Sequence, residues 1–206
     1  MTEQRTDEWH TARLGKVTAS KVSDVMMKPT TAGFQNYKTD LILERLTGNP
    51  TEGFTSAAME WGTVTEPQAR AFYELSTGNE VQEVGFINHP TLEMAGASPD
   101  GLVGKRGLVE IKCPNSTTHM KTLLTGKIDS KYIKQMHWQM LCTGRSWCDF
   151  VSFDPRLPAE MQIHIKRVEL DAEMAQEMTA AVTSFLALVR KEMTALQTAF
   201  PQQVAA

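Results

Sequence analysis

The chain has 206 residues, 41% of them hydrophobic, and a formal net charge of −3. That apolar content supports one full-sized core, so a single domain over residues 1–206 is expected. No apolar run reaches the roughly 18 residues a membrane span needs, and MTEQRTDEWH carries no signal-peptide stretch, so a cytoplasmic protein is expected.

Cys113, Cys142 and Cys148 are odd in number and form no Cys-x-x-Cys pair. They argue against a disulfide framework or zinc ribbon and are expected to be buried thiols. Charge is distributed unevenly: residues 101–150 carry a net +5, whereas 1–100 carry −6 and 151–206 carry −2. A local basic region can hold a phosphate backbone even in an acidic protein.

In chain order, Thr6 is placed to cap a short helix running through Trp9 and Arg13. Thr18 is placed to cap a second helix over ASKVSDVMM, with Val22, Val25 and Met26 at helical spacing. Pro29 and Gly33 interrupt, and helix resumes over 36–47 until Gly48 and Pro50 close it. A long helix is predicted from Ser56 to Thr77, ended by Gly78. Strands are predicted at 81–88, 94–97, 101–103 and 107–112, the last two joined through Gly104-Lys105-Arg106-Gly107. Helices at 116–124 and 131–143, strands at 147–153 and 161–169, and an amphipathic helix at 171–197 complete the reading. The order implies an α/β domain with a central mixed β-sheet flanked by helices. Within it fall a helical N-terminal part (1–78), a sheet core (79–170) and a C-terminal helix and tail (171–206). The C-terminal helix can complete the core or form a subunit contact.

The chemistry concentrates in Ala97-Ser98-Pro99-Asp100-Gly101 and Val109-Glu110-Ile111-Lys112. On a strand, residues i and i+2 share a face, so Glu110 and Lys112 project together while Val109 and Ile111 turn to the core. A tight corner at Pro99-Asp100-Gly101 brings Asp100 beside them. Two carboxylates can hold Mg²⁺, with the Ile111 carbonyl as a further oxygen ligand. Lys112 can orient a water, or accept its proton if its pKa is depressed. Glu-x-Lys alone is common and usually an exposed salt bridge; Pro-Asp ten residues upstream makes a metal-dependent hydrolase an even alternative.

At these residues the chain resembles the phage lambda-type exonuclease, or YqaJ-type viral recombinase, family of the PD-(D/E)xK nuclease superfamily. The resemblance runs over roughly residues 7–170. It is carried in order by Glu8-Trp9-His10 with Arg13-Leu14-Gly15, Thr18-Ala19-Ser20, Trp61-Gly62 with Glu66 and Ala69-Arg70, Ser98-Pro99-Asp100-Gly101, Glu110-Ile111-Lys112-Cys113-Pro114, Tyr132 with Gln135, and Phe153-Asp154-Pro155-Arg156. It implies a restriction-endonuclease-like core. It further implies a processive Mg²⁺-dependent exonuclease on double-stranded DNA, with Mn²⁺ as substitute and two ions per site. The enzyme so implied digests the 5′-ended strand, leaves a 3′ overhang, forms a homotrimeric ring and works with a single-strand annealing protein.

Residue by residue, the resemblance makes Asp100 and Glu110 metal ligands and Lys112 the catalytic lysine. It makes Glu66 an acidic neighbour of the metals and Gln135 a group near the nucleophilic water. Arg13, Ser20 and Ser98 match a pocket for the terminal 5′-phosphate, a role that suits guanidinium and hydroxyl donors. The plain alternatives are a salt bridge from Arg13 to Asp7 or Glu8, and capping chemistry for Ser20. Tyr132 reads as packing with a hydroxyl at the rim. The chain departs from the pattern at His137, where relatives often carry a second glutamine, and at Thr30, where the lambda-type enzyme has an arginine. Met59 sits where a side chain can wedge between strands or pack in an interface or a core.

Overall fold

The structure, a computed structural model, describes residues 4–51 and 56–201. Helix α1 (Asp7–Arg13) starts at Thr6, whose hydroxyl accepts from the Trp9 N–H, as the sequence suggests. Strand β1 (Val17–Thr18) leads into a 3-10 turn (Ala19–Lys21) and the one-turn helix α2 (Val22–Val25). The single helix predicted here is therefore broken, and the Thr18 side chain caps nothing. Its hydroxyl instead meets that of Ser20 at 3.3 Å. Helix α3 (Ala32–Thr47) begins earlier than predicted and takes Gly33 inside it, ending at Gly48. Helix α4 (Ala57–Thr77) runs between a Ser56 side-chain cap and Gly78, which adopts the left-handed conformation (φ 69°) that glycine accepts without strain.

The single strand predicted over 81–88 is two short ones in different sheets, β2 (Val81–Gln82) and β3 (Ile87–Asn88). Then follow β4 (Ala95–Ala97), β5 (Gly101–Val103), β6 (Gly107–Lys112), α5 (Ser116–Thr125), α6 (Ser130–Thr143), β7 (Trp147–Phe153), β8 (Ile163–Glu169) and α7 (Ala172–Ala199). The expected α/β architecture of mixed sheet flanked by helices is found, with the strands divided between two mixed sheets. A three-stranded sheet has the order β1-β4-β3 and a five-stranded sheet the order β2-β5-β6-β7-β8. In the larger sheet only β6 and β7 pair in parallel, and helices α5 and α6 form their crossover.

Helices cover both faces of β6 and β7. Val109, Ile111, Val151 and Phe153 pack against Ala69 and Tyr73 of α4. Leu108, Cys148 and Phe150 pack against Met136 and Met140 of α6. Helix α6 also carries Trp138 and Cys142 into a third cluster, with Phe34, Tyr37 and Leu41 of α3 and Met178, Val182 and Phe185 of α7. Helix α7 thus completes a core. All three cysteines are buried, as expected. Among the described residues, no helix is long and apolar enough to cross a membrane.

Candidate active site

Asp100 stands at the turn into β5, and Glu110 and Lys112 lie on β6, the neighbouring strand. Gly101 pairs with Val109, and the Ile111 N–H donates to Asp100 Oδ2 at 2.7 Å. That bond fastens the aspartate to the strand carrying the other two residues. Alternation then sends Glu110 and Lys112 to the α6 side and Val109 and Ile111 to the α4 side.

Glu110 is wholly buried, at 0% exposure, and Lys112 retains 26% of its side-chain exposure. A charge at such depth requires partners. Glu110 has three: the Lys112 ammonium and the Gln135 amide at Oε1, and the Gln139 amide at Oε2, the two amides each at 2.6 Å. Burial pushes the Asp100 carboxyl well above its ordinary value, and the charges of Glu110 and Glu66 add to the rise; the Lys112 ammonium and the Ile111 N–H oppose it. For Lys112, burial favours the neutral amine, but the Glu110 and Asp100 carboxylates outweigh it and hold the group above the usual lysine range. Without bound metal, then, Lys112 is a firm ammonium, suited to orienting a water or balancing charge.

Glu66 projects from α4 toward this centre and is shared by two arginines. Arg5 donates to Oε2 at 2.8 Å and Arg70 to Oε1 at 3.0 Å. A cleft of about 850 Å³ opens beside the group, lined among others by Arg5, Trp61, Glu66, Asp100, Ile111 and Lys112. The cleft-lining Cys113 thiol is pushed up to about 12, first by burial and then by Glu66 and Asp100, so it is no nucleophile at neutral pH. The oxygen donors in reach suit a hard cation, and the strain on Asp100 is one that a cation would relieve. Among the described residues no three acidic, histidine or cysteine side chains already stand as a cage.

Of the residues matched to a phosphate pocket, two meet. Arg13 Nη1 lies 3.3 Å from Ser98 Oγ, which also accepts from the Trp9 indole at 2.9 Å, and the guanidinium stacks 4.0 Å over the Trp9 ring. Neither Asp7 nor Glu8 pairs with Arg13 among the described residues. Ser20 is exposed, and among the described residues its hydroxyl meets Thr18 and has no hydrogen bond to Arg13 or Ser98.

The departures resolve by geometry. His137 is buried, accepts from the Asp171 N–H at 3.2 Å and meets the Ile133 carbonyl at 2.8 Å, so it braces the start of α7. The second glutamine on Glu110 is Gln139, which sequence reasoning missed although it follows Gln135 by one helical turn. Tyr132 lies between two ammoniums, Lys131 at 4.8 Å and Lys112 at 5.1 Å, and borders the cleft. Met59, in the first turn of α4, is 58% exposed and also lines the cleft, which rules out the core alternative. Thr30 is exposed. Arg5 was also missed, since no local pattern links it to Glu66.

Comparison with known proteins bears on the fold and the family. No curated protein matches the chain. Among solved structures it is similar to an alkaline exonuclease from Laribacter hongkongensis, LHK-Exo, with 53% identity and a TM-score of 0.89. The match covers 94% of this chain and 97% of that one. LHK-Exo in complex with dAMP matches over the same shares at 54% identity and the same score. A phage-related exonuclease from Haemophilus somnus 129PT shares the fold at 14% identity and a TM-score of 0.69, over 92% of this chain and 99% of that one. The model of the YqaJ-like viral recombinase domain matches residues 8–146, and the chain belongs to that family of DNA exonucleases.

Proposed function

We propose that the chain is a Mg²⁺-dependent exonuclease that digests linear double-stranded DNA from its 5′ ends. It leaves 3′ single-stranded overhangs for recombination by single-strand annealing. The observation that carries this reading is the meeting of Asp100, Glu110 and Lys112 at one sheet edge, each held by its neighbours, with Asp100 and Lys112 lining the cleft and Glu110 buried behind them. We read residues 1–206 as one nuclease domain with a PD-(D/E)xK centre.

Asp100, Glu110 and the Ile111 carbonyl are the metal ligands, with Glu66 beside them. Mg²⁺ is the natural ion, Mn²⁺ a substitute, and two ions per site the expected number. The chemistry a bound ion supplies is stabilisation of phosphate charge and a lowered pKa for a bound water. Glu110 and Glu66 would hold the ion in place of part of their present lysine, amide and arginine contacts. Lys112 orients the attacking water as an ammonium, and Gln135, anchored on Glu110, stands beside it. Arg13 and Ser98, with Ser20 at a further remove, hold the terminal 5′-phosphate. LHK-Exo has been obtained in complex with dAMP, and mononucleotides are the product we propose for this chain. A homotrimeric ring around DNA, an annealing-protein partner and a cytoplasmic location complete the proposal.

In a digestion assay on linear duplex with Mg²⁺, Asp100→Ala and Lys112→Ala lose at least about 100-fold in rate while keeping wild-type circular dichroism. Full activity in either folded variant contradicts the assignment. Cleavage of closed circular DNA would point to an endonuclease on the same fold.

A further inference from the structure

The motif Phe153-Asp154-Pro155-Arg156 has no part in the carboxylate–lysine centre, yet Arg156 lines the same cleft. Its guanidinium is fixed on one edge. Nε donates to Asp154 Oδ1 at 2.7 Å, and Nη2 donates to Asp154 Oδ2 at 3.0 Å and to the Pro114 carbonyl at 3.2 Å. The Arg156 backbone N–H adds a bond to Asp154 Oδ1 at 3.0 Å. The group also stacks 4.3 Å over the ring of Trp61. Asp154 is wholly buried, so the fork has little freedom to swing.

The opposite edge is different. Nη1 has no partner among the described residues, and 45% of the Arg156 side chain is exposed. The stack is also tied to both halves of the catalytic centre: Trp61 is on α4, the helix of Glu66, and Pro114 follows Lys112 by two residues. A guanidinium ordered in the free protein loses little further side-chain entropy on binding. Its free N–H donors match phosphate oxygens in geometry and charge.

We propose that Arg156, braced by Asp154 and stacked on Trp61, is a clamp for a backbone phosphate of the DNA strand entering the cleft. This rests on the nuclease reading above. The plain alternative is a strut that only ties the Pro114 loop to the end of β7.

The test is duplex binding without divalent metal, measured by fluorescence anisotropy from 50 to 200 mM salt. The double variant Asp154→Asn/Arg156→Gln removes both charges together, leaving no buried carboxylate unpaired. The clamp predicts weaker binding and a log–log salt slope shallower by about 0.9, one phosphate contact. An unchanged slope in the folded variant overturns the clamp and leaves the nuclease reading standing. A wild-type protein that binds no duplex at all overturns the clamp, while the nuclease reading stands or falls separately on the Mg²⁺ digestion assay. A second measurement uses the unmodified protein: phenylglyoxal labelling of Arg156, read by mass spectrometry, falls when duplex is present. Equal labelling with and without DNA overturns the clamp even if the double variant does not fold.

Discussion

A carboxylate with no solvent exposure sets the terms at the residue scale. Glu110 is wholly buried and three donors meet it, Gln139 being the only one at Oε2 among the described residues. Gln139→Glu removes that donor and places a second acid against the first. The new acid is driven toward its neutral form, so its folded pKa lies above its unfolded one. The variant is then penalised most at high pH and recovers as pH falls and the acid protonates. Urea unfolding is expected to show a loss of at least about 2 kcal/mol at pH 8 and a smaller one at pH 5. An equal loss at both pH values would show that the two carboxyls do not interact. The pairing of Glu110 with Lys112 is legible in sequence, because i and i+2 share a strand face. Its burial is not, because the cover comes from a helix more than 20 residues further on. Gln139 was readable from its one-turn spacing after Gln135. Arg5 reaches Glu66 across 61 residues and left no trace in any local pattern.

At the scale of elements, the β5–β6 pair determines where Asp100 stands. Gly101 packs so closely that a Cβ there would overlap the Val81 side chain and press on Val109 Cγ1 at 3.2 Å. Gly101→Ala should therefore part β2 from β5 and shift the adjoining Asp100. The expected cost is about 1–3 kcal/mol, seen as a lower urea midpoint, together with reduced nuclease activity in the protein that remains folded. Wild-type stability and activity would contradict this placement. The strands and helices around the site were legible because their periods are clean, and the caps at Thr6, Ser56 and Gly78 marked real ends. Segment 81–88 was not, since its two ends pair with different sheets and a one-dimensional pattern cannot name a strand's partner. Thr18 misled because its hydroxyl meets Ser20, and Gly33 because a helix can absorb a single glycine.

For the whole molecule, α6 is the common wall. One stretch of it packs on the larger sheet, supplies Gln135 and Gln139 to Glu110, and reaches through Trp138 into the cluster that α3 and α7 complete. The proposed catalytic centre is therefore packed, through α6, against the core that α3 and α7 complete. The most direct test of the account is digestion of linear duplexes in Mg²⁺, with radiolabel placed in turn at the 5′ and 3′ ends. The account predicts prompt release of the 5′ label as a mononucleotide, late release of the 3′ label, and faster digestion from 5′-phosphate than from 5′-hydroxyl ends. Prompt release of the 3′ label, or no release of either, would contradict it.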